Sequence, residues 1–219
     1  MVVAGDDHAS HTNTLTETFD NARRDIAAAL EAKGFSPANL RQFSVRPDRY
    51  TAARPERSDP QTVYESLREL AAHATGGCLI YFTSHGTPQG VIVGEKILPP
   101  PILAQMVDRL CGPRPTVVIV SACFSGVFTP ALKGQNRMVL TAARRDRSSF
   151  GCSESDKYPF FDDCLLKVLP AAADFPALGP LVRACVARRE HDEGARPPSE
   201  PQFSVGNGFR SPPFARPAG

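Results

Sequence analysis

Two short stretches combine side chains that do chemistry together. Tyr81-Phe82-Thr83-Ser84-His85-Gly86 and Val120-Ser121-Ala122-Cys123-Phe124-Ser125-Gly126 each place a reactive residue just after an apolar run. A free thiol ionises near pH ~8.5, so Cys123 needs help to act as a nucleophile at neutral pH. An imidazole such as His85 either takes its proton or pairs with the thiolate, and can later protonate a leaving amine. Gly86 and the glycine-containing turn after Cys123 allow backbone N–H groups to face a developing oxyanion, and the Gly86 and Cys123 N–H groups are the expected pair. The chemistry implied is acyl transfer through a thioester on Cys123.

Such a pair works only if the chain brings it to one place. Cys78–Thr83 and Thr116–Val120 are continuous apolar runs, the pattern of strands covered on both faces. In an open parallel sheet, reactive groups gather at the carboxyl ends of strands. One helical crossover separates the two runs, so they are expected to be neighbours, roughly 5 Å apart, or to have one strand between them.

The other elements fit this scheme. Met1–Gly5 reads as a short buried strand, and Thr14-Leu15-Thr16-Glu17 has the form of a helix-capping box. Leu15, Phe19, Ala22, Ile26 and Leu30 then line one helix face, which Gly34 stops. A strand is expected near Leu40–Val45, and a helix opened by Asp59-Pro60 carries Val63, Leu67, Leu70 and Ala71 inward. Gly90–Leu98 reads as a hairpin, Leu103–Leu110 as a third helix, and Arg137–Ala142 as a third apolar strand. Helices follow from Pro159 to Leu169 and over Leu178–Arg189, and Gln202–Val205 could add a last strand. Alternation of strands and helices predicts an α/β fold, a mostly parallel sheet with helices on both faces. It forms one domain over 1–210, with a loosely held tail over 211–219.

The two stretches, with the apolar strand between them, resemble the legumain family of cysteine peptidases. That family has a caspase-like fold and is related to caspases, metacaspases and gingipains. The order suits it too, since Cys123 follows His85 by 38 positions. Leu140-Thr141-Ala142-Ala143 resembles the strand bordering the specificity pocket, and the segment with Ser148-Ser149-Phe150 resembles the one after it. The likeness runs over roughly 77–163. It implies His85 and Cys123 as the catalytic pair, and a pocket that draws on Ser121, Thr141, Ala142 and Ser149.

The chain departs from the family at the pocket. Legumains usually carry an acidic residue two positions before the nucleophile, where this chain has Ser121. Their Arg-His pair at the start of the first helix is replaced by Thr18-Phe19-Asp20-Asn21. Asparagine selectivity therefore does not carry over, and Asp20 could instead select a basic residue.

Blander readings apply elsewhere. Cys78, Cys111 and Cys185 read as buried core thiols, while Cys152 and Cys164 flank a loop and could pair. No CxxC pair suggests zinc, and Asp6-Asp7-His8-Ala9-Ser10-His11 reads as a solvated loop at the active-site rim; no metal or cofactor is expected. Arg144-Arg145-Asp146-Arg147 reads as another solvated loop. Ser125 lies outside any GxSxG elbow.

The formal net charge of +2 suggests neither nucleic acid nor a membrane surface as partner, and no run is apolar for the ~18 residues a spanning helix needs. The expected partner is a peptide or protein substrate; oligomeric state is left open. No signal peptide is visible. If one has been trimmed the setting is periplasmic or secreted, and otherwise cytoplasmic. The function expected is a cysteine endopeptidase. The alternatives are a catalytically silent caspase-like binding or scaffold domain, and a transamidase in which an amine resolves the thioester.

Overall fold

The computed structural model describes residues 1–211 and 214. Seven strands form the main sheet: β1 (Val2–Ala4), β2 (Gln42–Ser44), β3 (Glu56–Arg57), β4 (Cys78–Thr83), β8 (Thr116–Ser121), β9 (Arg137–Thr141) and β10 (Gln202–Val205). Between β4 and β8 lies a small sheet of β5 (Gly86–Thr87), β6 (Gly90–Val93) and β7 (Lys96–Leu98). The main sheet runs β10-β9-β8-β4-β1-β2-β3 and is parallel except for the edge strand β10. Helices α1 (Thr18–Ala32), α2 (Pro60–His73), α3 (Pro100–Cys111), α4 (Phe128–Leu132), α5 (Phe160–Val168) and α6 (Phe175–Asp192) complete the α/β architecture.

Alternation along the strands divides the core between the two faces. Tyr81, Val117, Ile119, Met138 and Leu140 pack toward α1, α5 and α6. Their neighbours Ile80, Phe82, Val118, Val120 and Val139 pack toward α2, α3 and α4. Runs such as Thr116–Val120 are apolar throughout because both of their faces are covered.

Local signals were mostly honoured. Asp59 caps α2 by accepting from Gln61 N (3.0 Å) and Thr62 N (3.1 Å), and Pro60 occupies the first turn, where no N–H is needed. Gly34, at φ 95°, follows the end of α1 in the left-handed region open to glycine.

The capping box is a correction. The helix starts at Thr18, and Glu17 makes no capping bond but accepts from Tyr50 Oη (2.5 Å) and pairs with Arg46 and Arg49. Thr16 Oγ1 accepts from Thr18 N (3.2 Å) instead, and Leu15, expected inside, is 60% exposed. Tertiary partners from the β2–β3 region draw Glu17 away from its local role. The short strand β3 and helix α4 carry no periodic signal long enough to read.

The cysteines are a second correction. Cys78 is bonded to Cys111 and Cys164 to Cys185, leaving Cys123 and Cys152 free. The Cys152–Cys164 pairing, which the sequence left open, does not form because α5 and α6 pack side by side, placing Cys164 against Cys185. Of the proposed tail, Phe214 is buried, edge-on to Phe175, and its N–H donates to Ala173 O (3.0 Å). Residues 212, 213 and 215–219 lie outside the described residues. No described helix is long and apolar enough to cross a membrane.

Candidate active site

β4 and β8 are immediate neighbours, paired in parallel from Cys78↔Thr116 to Thr83↔Ser121. The last rung is Ser84 N–H to Ser121 O at 3.0 Å. Beyond it the chains diverge, with His85 two residues after Thr83 and Cys123 two residues after Ser121. Both side chains are partly exposed on the same rim.

Two contacts orient His85. Its Nε2 lies 2.8 Å from the carbonyl oxygen of His8, so Nε2 carries the proton and donates, which leaves Nδ1 for proton exchange. Phe19 on α1 stands edge-on to the ring, with centroids 5.0 Å apart. The loop supplying the carbonyl is itself braced. Asp6 Oδ1 accepts from Asp7 N (2.7 Å) and His8 N (3.1 Å), and Arg46 Nε lies 2.9 Å from Asp7 Oδ2. The polar Asp6–His8 stretch does border the rim. Its ligand-type atoms lie within 4.8 Å of one another, but Arg46 already balances Asp7.

Cys123 sits in a tight turn. Its Sγ accepts the N–H of Ser149 at 3.3 Å, and Ser149 Oγ and O each lie at 3.6 Å. The following residue, Phe124, has φ 56°, a left-handed conformation uncommon for a bulky side chain. Its N–H is held by Arg147 O at 2.8 Å, so the basic loop and the Cys123 turn are stitched together.

The Cys123 N–H donates to no group among the described residues. On the other side, Ile92 N donates to His85 O (3.0 Å), which puts Gly86 at a non-bonded position of the β5–β6 ladder with its N–H turned away from β6. Gly86 is needed here for space: a β-carbon would lie 2.1 Å from Cys123 O and 2.9 Å from Ala122 Cβ.

The four other residues expected at a pocket are placed differently from Ser149. Thr141 and Ala142 are fully buried at the end of β9, with Thr141 Oγ1 donating to Ala143 O (3.3 Å) and Ala142 N to Val120 O (3.0 Å). Asp20 is buried, accepting from Arg23 Nε (2.7 Å) and Ser44 Oγ (2.9 Å). Ser121 is buried and donates to Asp162 Oδ2 at 2.7 Å. Ser125 Oγ accepts from Ala143 N (3.1 Å), a bracing role.

Asp162 escaped the sequence reading. It is fully buried on α5, where Tyr81 Oη and the hydroxyls of Thr83 (3.0 Å) and Ser121 (2.7 Å) donate to it. Burial pushes its carboxyl up to about 7, although the three hydroxyls pull the other way. The available signal was an acid directly after Phe160-Phe161, inside an amphipathic helix start. Cys152, also free, packs with Ala4 and Phe19, and burial pushes its thiol well above the ordinary range.

The peptidase C13 family profile matches residues 57–174, which span both His85 and Cys123. The chain belongs to the peptidase C13 family. This is the legumain family of cysteine peptidases, and the expected caspase-like fold is observed with it. The crystal structure of caspase-1 from Spodoptera frugiperda aligns with 95% of this chain and 89% of its own, at TM-score 0.66 and 13% identity. At that identity the likeness speaks for the fold alone. No curated protein matches the chain.

Proposed function

We propose that this C13 family member is an endopeptidase that hydrolyses peptide bonds through a thioester on Cys123, with His85 as its acid–base partner. The observation that carries this reading is the placement of a partly exposed free thiol and an oriented imidazole at the ends of adjacent paired strands. The Cys123 thiolate attacks the substrate carbonyl carbon, and the oxyanion is met by the Gly86 and Cys123 N–H groups. Collapse breaks the C–N bond, and the imidazolium gives its proton to the departing amine. His85 then takes a proton from water as it attacks the thioester, and the thiol is released with the carboxylic acid.

Selectivity is assigned to the surroundings of Ser149, since Asp20, Ser121, Thr141 and Ala142 are buried in this structure. The two disulfides are of the kind that persist in oxidising compartments, which favours a periplasmic or extracellular setting over the cytoplasm.

The test is cleavage of a peptide mixture read by mass spectrometry, with labelling by a thiol-directed peptide electrophile. Cys123→Ala should lose labelling at this site and reduce cleavage by at least about 10³-fold. Cleavage by Cys123→Ala equal to the parent would refute the reading. A folded parent that is alkylated at Cys123 yet cleaves nothing would favour a binding domain.

A further inference from the structure

The geometry points to Asp162 as a positioning residue: its Oδ2, by accepting from Thr83 and Ser121 at once, sets the relative placement of His85 and Cys123. This rests on the peptidase reading above. Thr83 and Ser121 are opposite each other at the last paired position of β4 and β8. Both hydroxyls reach the same oxygen, at 3.0 and 2.7 Å. Each lies two residues before a proposed catalytic side chain, where regular strand pairing stops. The backbone ladder fixes the strands only up to this point, and the carboxylate ties them together again from α5.

The two oxygens divide the work. Oδ1 receives Tyr81 Oη, while Oδ2 receives the two strand-end hydroxyls. Protonation on Oδ1 leaves Oδ2 free to accept from both, with Tyr81 Oη then accepting rather than donating. The other titratable groups acting on this carboxyl are Asp163, which is paired with Lys167 and Arg189, and Cys152. No cation is bonded to Asp162 among the described residues. The clamp therefore holds on both sides of the Asp162 titration.

An amide at this position can reproduce the clamp, with its oxygen at the Oδ2 place and its NH₂ directed at Tyr81. An alanine cannot. A bridge also fails when either end is cut, so losing both ends should cost no more than losing one.

The experiment measures the rate of Cys123 alkylation by iodoacetamide, located by peptide mapping, alongside kcat and KM for a peptide substrate. Thermal melting verifies that each variant is folded. The variants are Asp162→Asn, Asp162→Ala, Thr83→Val, Ser121→Ala and the Thr83→Val/Ser121→Ala double. Asp162→Asn should stay within about threefold of the parent, whereas the others, the double included, should each lose on the order of tenfold in alkylation and kcat with KM little changed. Two results would overturn the clamp: Asp162→Asn as slow as Asp162→Ala, or single-variant losses that multiply in the double. If Asp162→Ala does not fold, the hydroxyl variants decide alone. Alkylation reads Cys123 without turnover, so a chain that cleaves no peptide would refute the peptidase reading while leaving the clamp open to confirmation or refutation.

Discussion

Two buried carboxylates lie on the same side of the sheet and are satisfied in opposite ways. Asp20, on α1, faces a cation: Arg23 Nε at 2.7 Å, with both side chains 1% exposed. Arg23 is held in turn by Gln42 Oε1 (2.5 Å) and by the ring of Tyr50, whose centroid is 5.0 Å away. Asp162, on α5, faces only hydroxyls. Burial pushes both carboxyls up, and only at Asp20 does a neighbouring positive charge pull back. The first region is a fixed ion pair bracing α1 against β2. The second is a neutral-donor bridge beneath the proposed catalytic pair, able to lose or gain a proton without losing its partners.

The largest effect should come from breaking the ion pair. Arg23→Met keeps much of the volume but leaves Asp20 buried without its cation, and should cost about 3–5 kcal/mol in urea unfolding at pH 7. If it costs under ~1 kcal/mol, Asp20 and Asp162 are held alike and the contrast is lost.

An effect of similar size but distinctive sign is expected at Asp162. Its folded pKa of about 7 lies above the ordinary 3.8, so the native state binds this proton more tightly than the unfolded chain. The stability this contributes is fully present below pH 3.8 and is lost as pH rises through about 7. Asp162→Asn should remove that slope, gaining roughly 4 kcal/mol relative to the parent between pH 4 and pH 8. Denaturant midpoints measured across that range would show it, and parallel curves for the two proteins would contradict it.

The smallest effect should follow Tyr81→Phe, which removes the donor to Oδ1 alone. A loss of about 1–2 kcal/mol is expected, because one buried acceptor site is left unfilled. The Asp162 titration should move further up, since the Tyr81 bond is one of the contacts holding it down. Cys123 alkylation should hardly change, because Thr83 and Ser121 keep their shared oxygen. A tenfold slowing there would mean that the tyrosine, rather than the strand-end hydroxyls, orders the site.

Much of this arrangement was legible beforehand, for a local reason. The apolar runs ending in His85 and Cys123 carry their own burial pattern, and helices of ten or more residues between strands imply a parallel sheet. Asp59-Pro60 and Gly34 act through backbone groups within a few residues of themselves, so their readings survived. The capping box did not, because Glu17 had competing partners in Tyr50, Arg46 and Arg49. The reading of Cys78, Cys111 and Cys185 as core thiols failed for the same reason: position along the chain says little about which elements will pack together. Asp162 and the His8 carbonyl were invisible because neither has a signature of its own. One is an acid in an ordinary helix start and the other a backbone oxygen, and each gains meaning only from what lies opposite.

By itself, then, the sequence determined which side chains could react and that they would end adjacent or nearly adjacent strands, since type and periodicity are properties of short stretches. The tertiary structure alone decided that the strands are immediate neighbours, which nitrogen of His85 is held, and which donors reach the Cys123 sulfur. It also decided that one carboxylate from α5 spans both strand ends. These contacts join residues as far apart as His8 and His85 or Ser121 and Asp162, and their distances are set by packing rather than by spacing along the chain.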